Sequence, residues 1–325
     1  MKNIPLILED YLNYMETIKG VSSNTVKEYY YDLSNFLKFI KIRLKLIGDV
    51  EFKDIDISDI TIDHIKQVKL TDLHAYISYA DKKLKNGSSA KARKVASARS
   101  FFDYLHLRAN LIEDNPAIGL ESPKGEGRNP VYLTLDQANH LLNTVLENKN
   151  ELFKSRDYAI ILLFLTCGLR LSELASIDID KIQDDNTLSV IGKGNKERLV
   201  FLNDACREAI EQYLELRPRD NKDKKALFLS VRKQRMSNRA IQHMIDRYLE
   251  KAGFDTSVYS THKLRHTAAT LMYKYGNVDI RALQEILGHE SVSTTQIYTH
   301  LDDERLRDAI KSNPLSNRKA IKTDE

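Results

Sequence analysis

Three consecutive motifs near the end of the chain decide its fold: T-H-K-L-R-H-T-A-A-T-L-M-Y-K-Y-G at 261–276, D-I-R-A-L-Q-E-I-L-G-H-E at 279–290 and S-V-S-T-T-Q-I-Y-T-H at 291–300. The spacing of their apolar residues predicts three helical segments. In order, these segments carry His262 and Arg265, then His289, then Tyr298. A phenol, an arginine and two imidazoles close together suit the attack of a protein oxygen on a phosphodiester.

The part of the chain before these motifs changes composition at a stretch rich in proline and glycine: Pro116, Gly119, Pro123, Gly125, Gly127 and Pro130. Frequent proline and glycine without a periodic pattern of apolar residues is typical of a domain boundary. We therefore predict a first domain over 1–115, a linker over 116–131 and a second domain over 132–325. A chain of 325 residues is long enough for two domains that each have a core.

Helical periodicity dominates both predicted domains. In the first domain it predicts helices at 5–19, 25–42, 71–85 and 90–108, with an irregular acidic segment at 47–70. In the second domain it predicts helices at 134–148, 156–166, 170–176, 204–216 and 237–252. Strand character at 187–202, on both sides of G-K-G-N-K, predicts a hairpin, and a short strand is expected at 226–229. The fold class is therefore mainly α, with a small antiparallel β-sheet in the second domain.

Composition excludes several classes of protein. The 50 basic and 46 acidic residues give a net charge of +4, which is weak evidence for a polyanionic partner. No apolar run is long enough for a transmembrane helix, and the acidic start does not resemble a signal peptide. Two cysteines fit the reduced cytoplasm, and no Cys/His cluster has the spacing of a zinc site, so we expect a cytoplasmic protein without a metal.

Arg170 is an unusual residue, because it directly follows an apolar helix and the turn Cys167-Gly168-Leu169. A guanidinium buried there would be costly without an anion. Glu173 lies three residues on, on the same helical face, and either orients Arg170 for a ligand or forms a structural pair with it. Lys193, at the tip of the glycine-flanked hairpin, can reach a ligand, although most lysines in such turns are only solvated.

The predicted helix 90–108 carries four bases beside small residues: Lys91, Arg93, Lys94 and Arg99. Small residues allow a helix to approach a groove closely, so these bases could face a polyanion. A solvated basic face explains the same pattern.

Taken together, the motifs resemble those of tyrosine recombinases, most closely the bacterial Xer recombinases and their integrase relatives in mobile elements. The resemblance rests on T-C-G-L-R-L-S-E-L, I-G-K-G-N-K-E-R, H-K-L-R-H-T-A-A-T, L-G-H and S-T-T-Q-I-Y-T-H. It covers residues 131–307 closely and 11–123 more loosely. The irregular segment 41–70 is longer than its counterpart in the Xer recombinases.

The resemblance implies a role for each matching residue. Tyr298 corresponds to the nucleophile that forms a 3′-phosphotyrosyl bond and releases a 5′-hydroxyl. Arg170 and Arg265 correspond to the arginines that clamp the scissile phosphate, and Glu173 to the acid that braces the first of them. Lys193 corresponds to the hairpin lysine that protonates the leaving oxygen. His262 and His289 correspond to the histidines that support the phosphate and proton transfer.

The resemblance also implies an assembly. A helical core-binding domain of the SAM-like type and the catalytic domain would form a clamp on double-stranded DNA, with Lys91, Arg93, Lys94 and Arg99 facing it. Four protomers would assemble on two sites and exchange DNA strands through a Holliday junction. The tetramer would contain either four identical chains or copies of this chain together with a sister recombinase. A helix at 303–310 would dock on the neighbouring protomer, and a septal DNA translocase would be a possible regulator. Because the covalent bond conserves energy, no cofactor or metal is implied.

Several functions share some of these features. The main hypothesis is an Xer-type recombinase that resolves chromosome dimers. A mobile-element integrase has the same chemistry, but many such integrases carry an extra arm-binding domain, and we expect none here because the first predicted helix starts near Pro5. A type IB topoisomerase would relax supercoils without choosing a site. A non-catalytic architectural DNA-binding protein would not need Tyr298 and both arginines, and a purely structural helical protein would not need Arg170 beside an apolar helix.

Overall fold

Two groups of helices account for most of the residues that this computed structural model describes, which are 4–123, 131–192, 197–276, 278–288 and 295. The chain divides into two compact units, Met1–Gly127 and Arg128–Glu325. The described residues form helices and one two-stranded antiparallel sheet, which confirms the predicted fold class. Across these ranges, no helix combines the length and apolarity needed to cross a lipid bilayer.

The first unit is helical throughout and has an aromatic core. Its helices are α1 (Leu6–Asn13), α2 (Ser23–Arg43), α3 (Ile62–Lys66), α4 (Leu70–Lys82) and α5 (Ser88–Leu107). The predicted helix 5–19 continues beyond α1 as a π-helical turn, Tyr14–Ile18. The fully buried core side chains include Tyr11, Phe36, Tyr76, Phe101 and Phe102. Tyr11 and Phe101 meet edge to face at 5.3 Å, a favourable arrangement of two aromatic rings.

The second unit is also mainly helical. Its elements are α6 (Leu135–Leu146), α7 (Glu151–Cys167), α8 (Leu171–Ala175), β1 (Thr187–Ile191), β2 (Glu197–Phe201), α9 (Asp204–Leu216), α10 (Asn238–Lys251), α11 (Thr261–Tyr275) and α12 (Ile280–Leu287). In the sheet, Thr187 lies opposite Phe201 and Ile191 opposite Glu197, as expected for the predicted hairpin.

The strand predicted at 226–229 is wrong. Its residues are buried, but their backbone pairs with two different segments: Leu227 N–H donates to the Ile177 carbonyl, and the Phe228 carbonyl accepts from Met236 N–H. Only isolated bridges result, at Ala226 and Leu229. An apolar run of four residues does not show whether one partner strand is available along its whole length.

Helix α7 organises the second unit. It is buried on nearly all sides, as expected for a helix that is apolar all round, and it packs against α6, α9 and α11. The Asn150 side chain caps its start by accepting from Phe153 N–H at 3.1 Å. Gly168 ends it in the left-handed conformation, with φ of 59°. The turn places Arg170 at the start of α8, next to the end of α12.

Gly168→Ala is expected to lower the free energy of unfolding of the second unit by about 2–5 kcal/mol, through left-handed strain and overpacking together. A Cβ at this position would lie 2.8 Å from Cδ2 of the buried Leu287. Gly253 is a matched control, because its φ is 77° but a Cβ there would meet open space. We expect Gly253→Ala to cost only about 1–2 kcal/mol. Hydrogen exchange of α7 peptides, followed as a function of urea concentration, measures the loss of unfolding free energy in both variants. Equal losses would show that the close contact with Leu287 adds nothing to the cost of Gly168→Ala.

Candidate active site

Arg170 lies at the N-cap of α8 and is held from two sides. Its backbone N–H donates to Glu173 Oε2 at 2.7 Å, and its Nη1 donates to Glu173 Oε1 at 2.8 Å. Its Nη2 donates to the carbonyl of Gly288, at the end of α12, at 2.5 Å. The side chain remains 32% exposed. The pairing with Glu173 therefore orients a guanidinium that still faces solvent.

Glu173 is fully buried and accepts from two arginines. Besides Arg170, it binds Arg198, whose Nη2 lies 2.9 Å from Oε2 and whose Nε lies 3.2 Å from Oε1. Arg265 Nη1 is 3.9 Å from Oε2. Burial alone would raise the pKa of Glu173, but hydrogen bonds from Arg198 and from the Arg170 backbone hold the net pKa below its ordinary value. The carboxylate is therefore ionised at neutral pH.

Arg265 is buried in α11, with 5% of its surface exposed. Its Nη1 donates to the carbonyl of Gly168, and its Nη2 donates to the carbonyl of Leu287 at 2.6 Å. These bonds tie α11 to the end of α7 and to the end of α12. The guanidinium has a fixed direction before any ligand binds, and a preorganised group of this kind needs little rearrangement to stabilise an anion.

His262 lies one turn before Arg265 on α11 and is exposed. Its ring meets that of His266 edge to face, with centroids 4.5 Å apart. Partial desolvation lowers the pKa of His262, and the nearby charges of Arg265 and Lys263 lower it further. The imidazole is therefore mostly neutral at pH 7 and able to accept a proton.

Arg170, His262 and Arg265 line one open cavity of about 480 Å³ between α8, α10 and α11. Its walls are Leu169, Arg170, Leu171, Ser172, Asn238, Gln242, Thr261, His262 and Arg265. Two arginines and a neutral imidazole on one cavity suit a phosphate group, since arginine binds phosphate oxygens in a planar fork. A cavity of similar size between α7 and α9 is lined by none of the predicted site residues.

Three successive carbonyls at the end of α12 accept from three different arginines. Ile286 accepts from Arg198, Leu287 from Arg265 and Gly288 from Arg170. The C-terminal end of a helix carries partial negative charge and unsatisfied carbonyls, so it attracts cations. The helix that leads to His289 is thereby tied to the arginines of the cavity.

The structure brings together four of the predicted site residues: Arg170, Glu173, His262 and Arg265. Lys193, His289 and Tyr298 lie outside the described residues, as does the helix predicted at 303–310. Sequence reasoning missed Arg198, although this residue ends the motif I-G-K-G-N-K-E-R. It also missed Asn238 and Gln242 on the cavity wall. No local pattern distinguishes those two from other polar residues of α10.

The four bases of α5 are all bound within the first unit. Lys91 pairs with Asp81, Arg93 with Glu28 and Asp32, Lys94 with Asp32, and Arg99 donates to the Leu120 carbonyl. Lys94 lies in the interior with its side chain 5% exposed. A position facing DNA does not agree with that burial, because a buried ammonium needs its carboxylate partner.

The model of the phage integrase family matches residues 131–305. That range contains every predicted catalytic residue, including the three that the structure does not describe. The chain belongs to the phage integrase family of tyrosine recombinases. The resemblance predicted from the motifs is confirmed.

Relatives in this family match nearly the whole chain. The tyrosine recombinase XerC of Caldanaerobacter subterraneus subsp. tengcongensis is 54% identical over 314 residues, which are 96% of this chain and 88% of the relative. The XerC of Thermodesulfovibrio yellowstonii is 33% identical over 324 residues, or 97% of this chain and 99% of the relative.

Solved structures of two recombinases share the fold. XerH bound to its palindromic difH substrate superposes with a TM-score of 0.69 at 21% identity, over 95% of this chain and 97% of XerH. The Tn1549 transposon integrase superposes with a TM-score of 0.70 at 19% identity, over 94% of this chain and 98% of the integrase. At these identities the likeness concerns the fold.

Proposed function

We propose that this tyrosine recombinase cuts and rejoins duplex DNA at a specific site through a 3′-phosphotyrosyl bond to Tyr298. The observation that carries the proposal is the pair of arginines, Arg170 and Arg265, held rigid on the wall of a cavity that His262 also lines. The developing charge on a phosphodiester under attack requires preorganised donors of this kind.

In the proposed reaction, the Tyr298 oxygen attacks phosphorus, and the bond between phosphorus and the 5′-oxygen breaks. Arg170 and Arg265 neutralise the non-bridging oxygens, and Glu173 keeps Arg170 in place. His262, uncharged at neutral pH, and His289 support the phosphate and the transfer of the tyrosine proton. Lys193 gives a proton to the leaving 5′-oxygen. The new ester keeps the energy of the broken bond, so a 5′-hydroxyl from another strand can reverse the reaction without ATP or a metal.

We further propose the Xer role, in the resolution of chromosome dimers. It is supported by relatives named XerC that match almost the whole chain. The proposed assembly is a tetramer on two sites, either of identical chains or with a sister recombinase, and a septal DNA translocase is a candidate regulator. A protein with this substrate would work in the cytoplasm, at the nucleoid.

The first unit is proposed to hold the DNA flanking the cleavage site, with domain limits of 1–115 and 132–325 around the linker 116–131. Lys91, Arg93 and Arg99 stay predicted DNA contacts. Each would exchange its present carboxylate or carbonyl partner for a phosphate. Phosphate contacts would supply most of the affinity, and base contacts would choose the site.

A plasmid recombination assay tests this role. The substrate carries two copies of the host's chromosomal recombination site, and a second plasmid carries two mobile-element ends instead. We expect the wild type, alone or with the sister recombinase, to delete the segment between the chromosomal sites, and Tyr298→Phe to be inactive. Recombination only at mobile-element ends would replace the Xer role with an integrase. DNA binding without recombination on either plasmid would contradict the proposed enzyme.

A further inference from the structure

Arg198 is the second residue of β2 and follows Lys193 by five positions in the sequence. Its side chain is 15% exposed. It reaches away from the sheet to contact α8 and α12, and it is not among the residues that line the cavity. An arginine in this position acts on the site only through the groups that it holds.

The Arg198 guanidinium holds two elements at once. Its Nε and Nη2 donate to the two oxygens of Glu173, at 3.2 and 2.9 Å, as a bidentate fork. Its Nη1 donates to the Ile286 carbonyl at 2.7 Å. A lysine could replace one of these contacts but not both, because an ammonium is a compact point charge without the planar fork.

Glu173 links Arg198 to Arg170. The same carboxylate that binds the Arg198 fork also accepts from the backbone and from the side chain of Arg170. Fixing the carboxylate therefore fixes the direction of Arg170. Without Arg198, the carboxylate would keep only its Arg170 bonds and would be free to turn with that side chain.

The end of α12 is fixed in the same way. Gly288, in the left-handed conformation, is packed so closely that a Cβ would lie 2.9 Å from Arg198 Cδ. Arg198 thus supports the α12 end both by a hydrogen bond and by direct packing, one residue before His289.

We propose that Arg198 is a positioning residue: it aligns Arg170 through Glu173, and it aligns the segment leading to His289 through the end of α12. The expected effect of Arg198 on DNA cleavage rests on the proposed recombinase function. It does not require Arg198 to touch DNA.

The test compares Arg198→Ala and Arg198→Lys with Arg207→Ala. Arg207, on α9, is a matched control because it also binds one carboxylate, Glu211, and one carbonyl, that of Gln183. On a nicked duplex carrying the chromosomal site, Arg198→Ala should form the covalent adduct about 100-fold more slowly, as expected for misplaced catalytic groups. DNA affinity should be unchanged, Arg198→Lys should recover part of the rate, and Arg207→Ala should match the wild type.

A methylphosphonate at the scissile position separates positioning from general damage. This group removes one negative charge, so the alignment of the arginines matters less, and the deficit of Arg198→Ala should shrink. Damage to the fold would slow both DNAs by the same factor. An equal deficit on both DNAs, or a wild-type rate for Arg198→Ala, would overturn the proposal.

Hydrogen exchange gives a readout without cleavage. Peptides covering 280–288 should exchange faster in Arg198→Ala than in the wild type or Arg207→Ala, while α7 peptides should stay protected. If even the wild type forms no adduct that depends on Tyr298, the proposed recombinase function fails. The exchange experiment then tests by itself whether Arg198 positions the end of α12. Unchanged exchange at 280–288 would overturn the proposed role of Arg198.

Discussion

Arg265→Ala is expected to slow adduct formation by about 10³- to 10⁵-fold, the range found when an arginine that stabilises a phosphoryl transition state is removed. The effect is large because Arg265 is buried and already directed by the carbonyls of Gly168 and Leu287. No water or neighbouring lysine can reproduce a fixed guanidinium at that place. Single-turnover cleavage of a nicked duplex at saturating protein measures the chemical step apart from binding.

Two further variants complete this experiment. Arg265→Lys keeps a charge but cannot donate to both carbonyls and the phosphate in one plane, so it should remain strongly impaired. Arg247→Ala removes an arginine of α10 whose side chain is 67% exposed, and it should cleave at the wild-type rate. Near-normal cleavage by Arg265→Ala would mean that another group neutralises the phosphate.

Glu173→Gln is expected to give the largest loss of stability, about 3–5 kcal/mol in the free energy of unfolding of the second unit. The substitution leaves Arg170 and Arg198 without their shared counter-charge, which Glu173 supplies from a position with no exposed surface. Glu211→Gln is the matched control, because that carboxylate is 55% exposed and pairs with Arg207. Its loss should be within about 1 kcal/mol. Hydrogen exchange of α7 peptides, followed as a function of urea concentration, measures the loss of unfolding free energy in both variants.

The difference in free energy of unfolding between the wild type and Glu173→Gln should become smaller as the pH falls. The pKa of Glu173 is lowered in the folded protein, so its contribution is complete above the unfolded pKa of about 4.3 and is lost as pH falls through the lower folded value. The two proteins should therefore converge in acid. A difference that grows as the pH falls would show that the carboxylate is not held in its charged form.

Local patterns predicted most of the helices, because apolar spacing and capping residues act within a few positions of the chain. The apolar run of α7 and the glycine that ends it are examples, and they correctly placed Arg170 at the following turn. The motif order then identified His262 and Arg265 as neighbours of Arg170 in the site.

Long-range pairing was not predictable in the same way. Lys94 looks like a surface base in its helix, but Asp32, sixty-two positions earlier, draws it into the interior. The role of Arg198 depends on Glu173 and on a backbone carbonyl of α12. No side chain in the sequence marks that carbonyl, so the three arginines at the end of α12 become visible only in the folded chain.

Tyr298 is proposed to form a covalent bond with DNA. The most direct measurement incubates the wild type and Tyr298→Phe with a labelled, nicked duplex carrying the chromosomal site and separates the products on a denaturing gel. Nuclease digestion and peptide mass analysis then locate the attached nucleotide. We expect a shifted band for the wild type only, with the nucleotide on the peptide containing Tyr298. An adduct that persists in Tyr298→Phe, or one mapped to another residue, would contradict the proposed role of Tyr298.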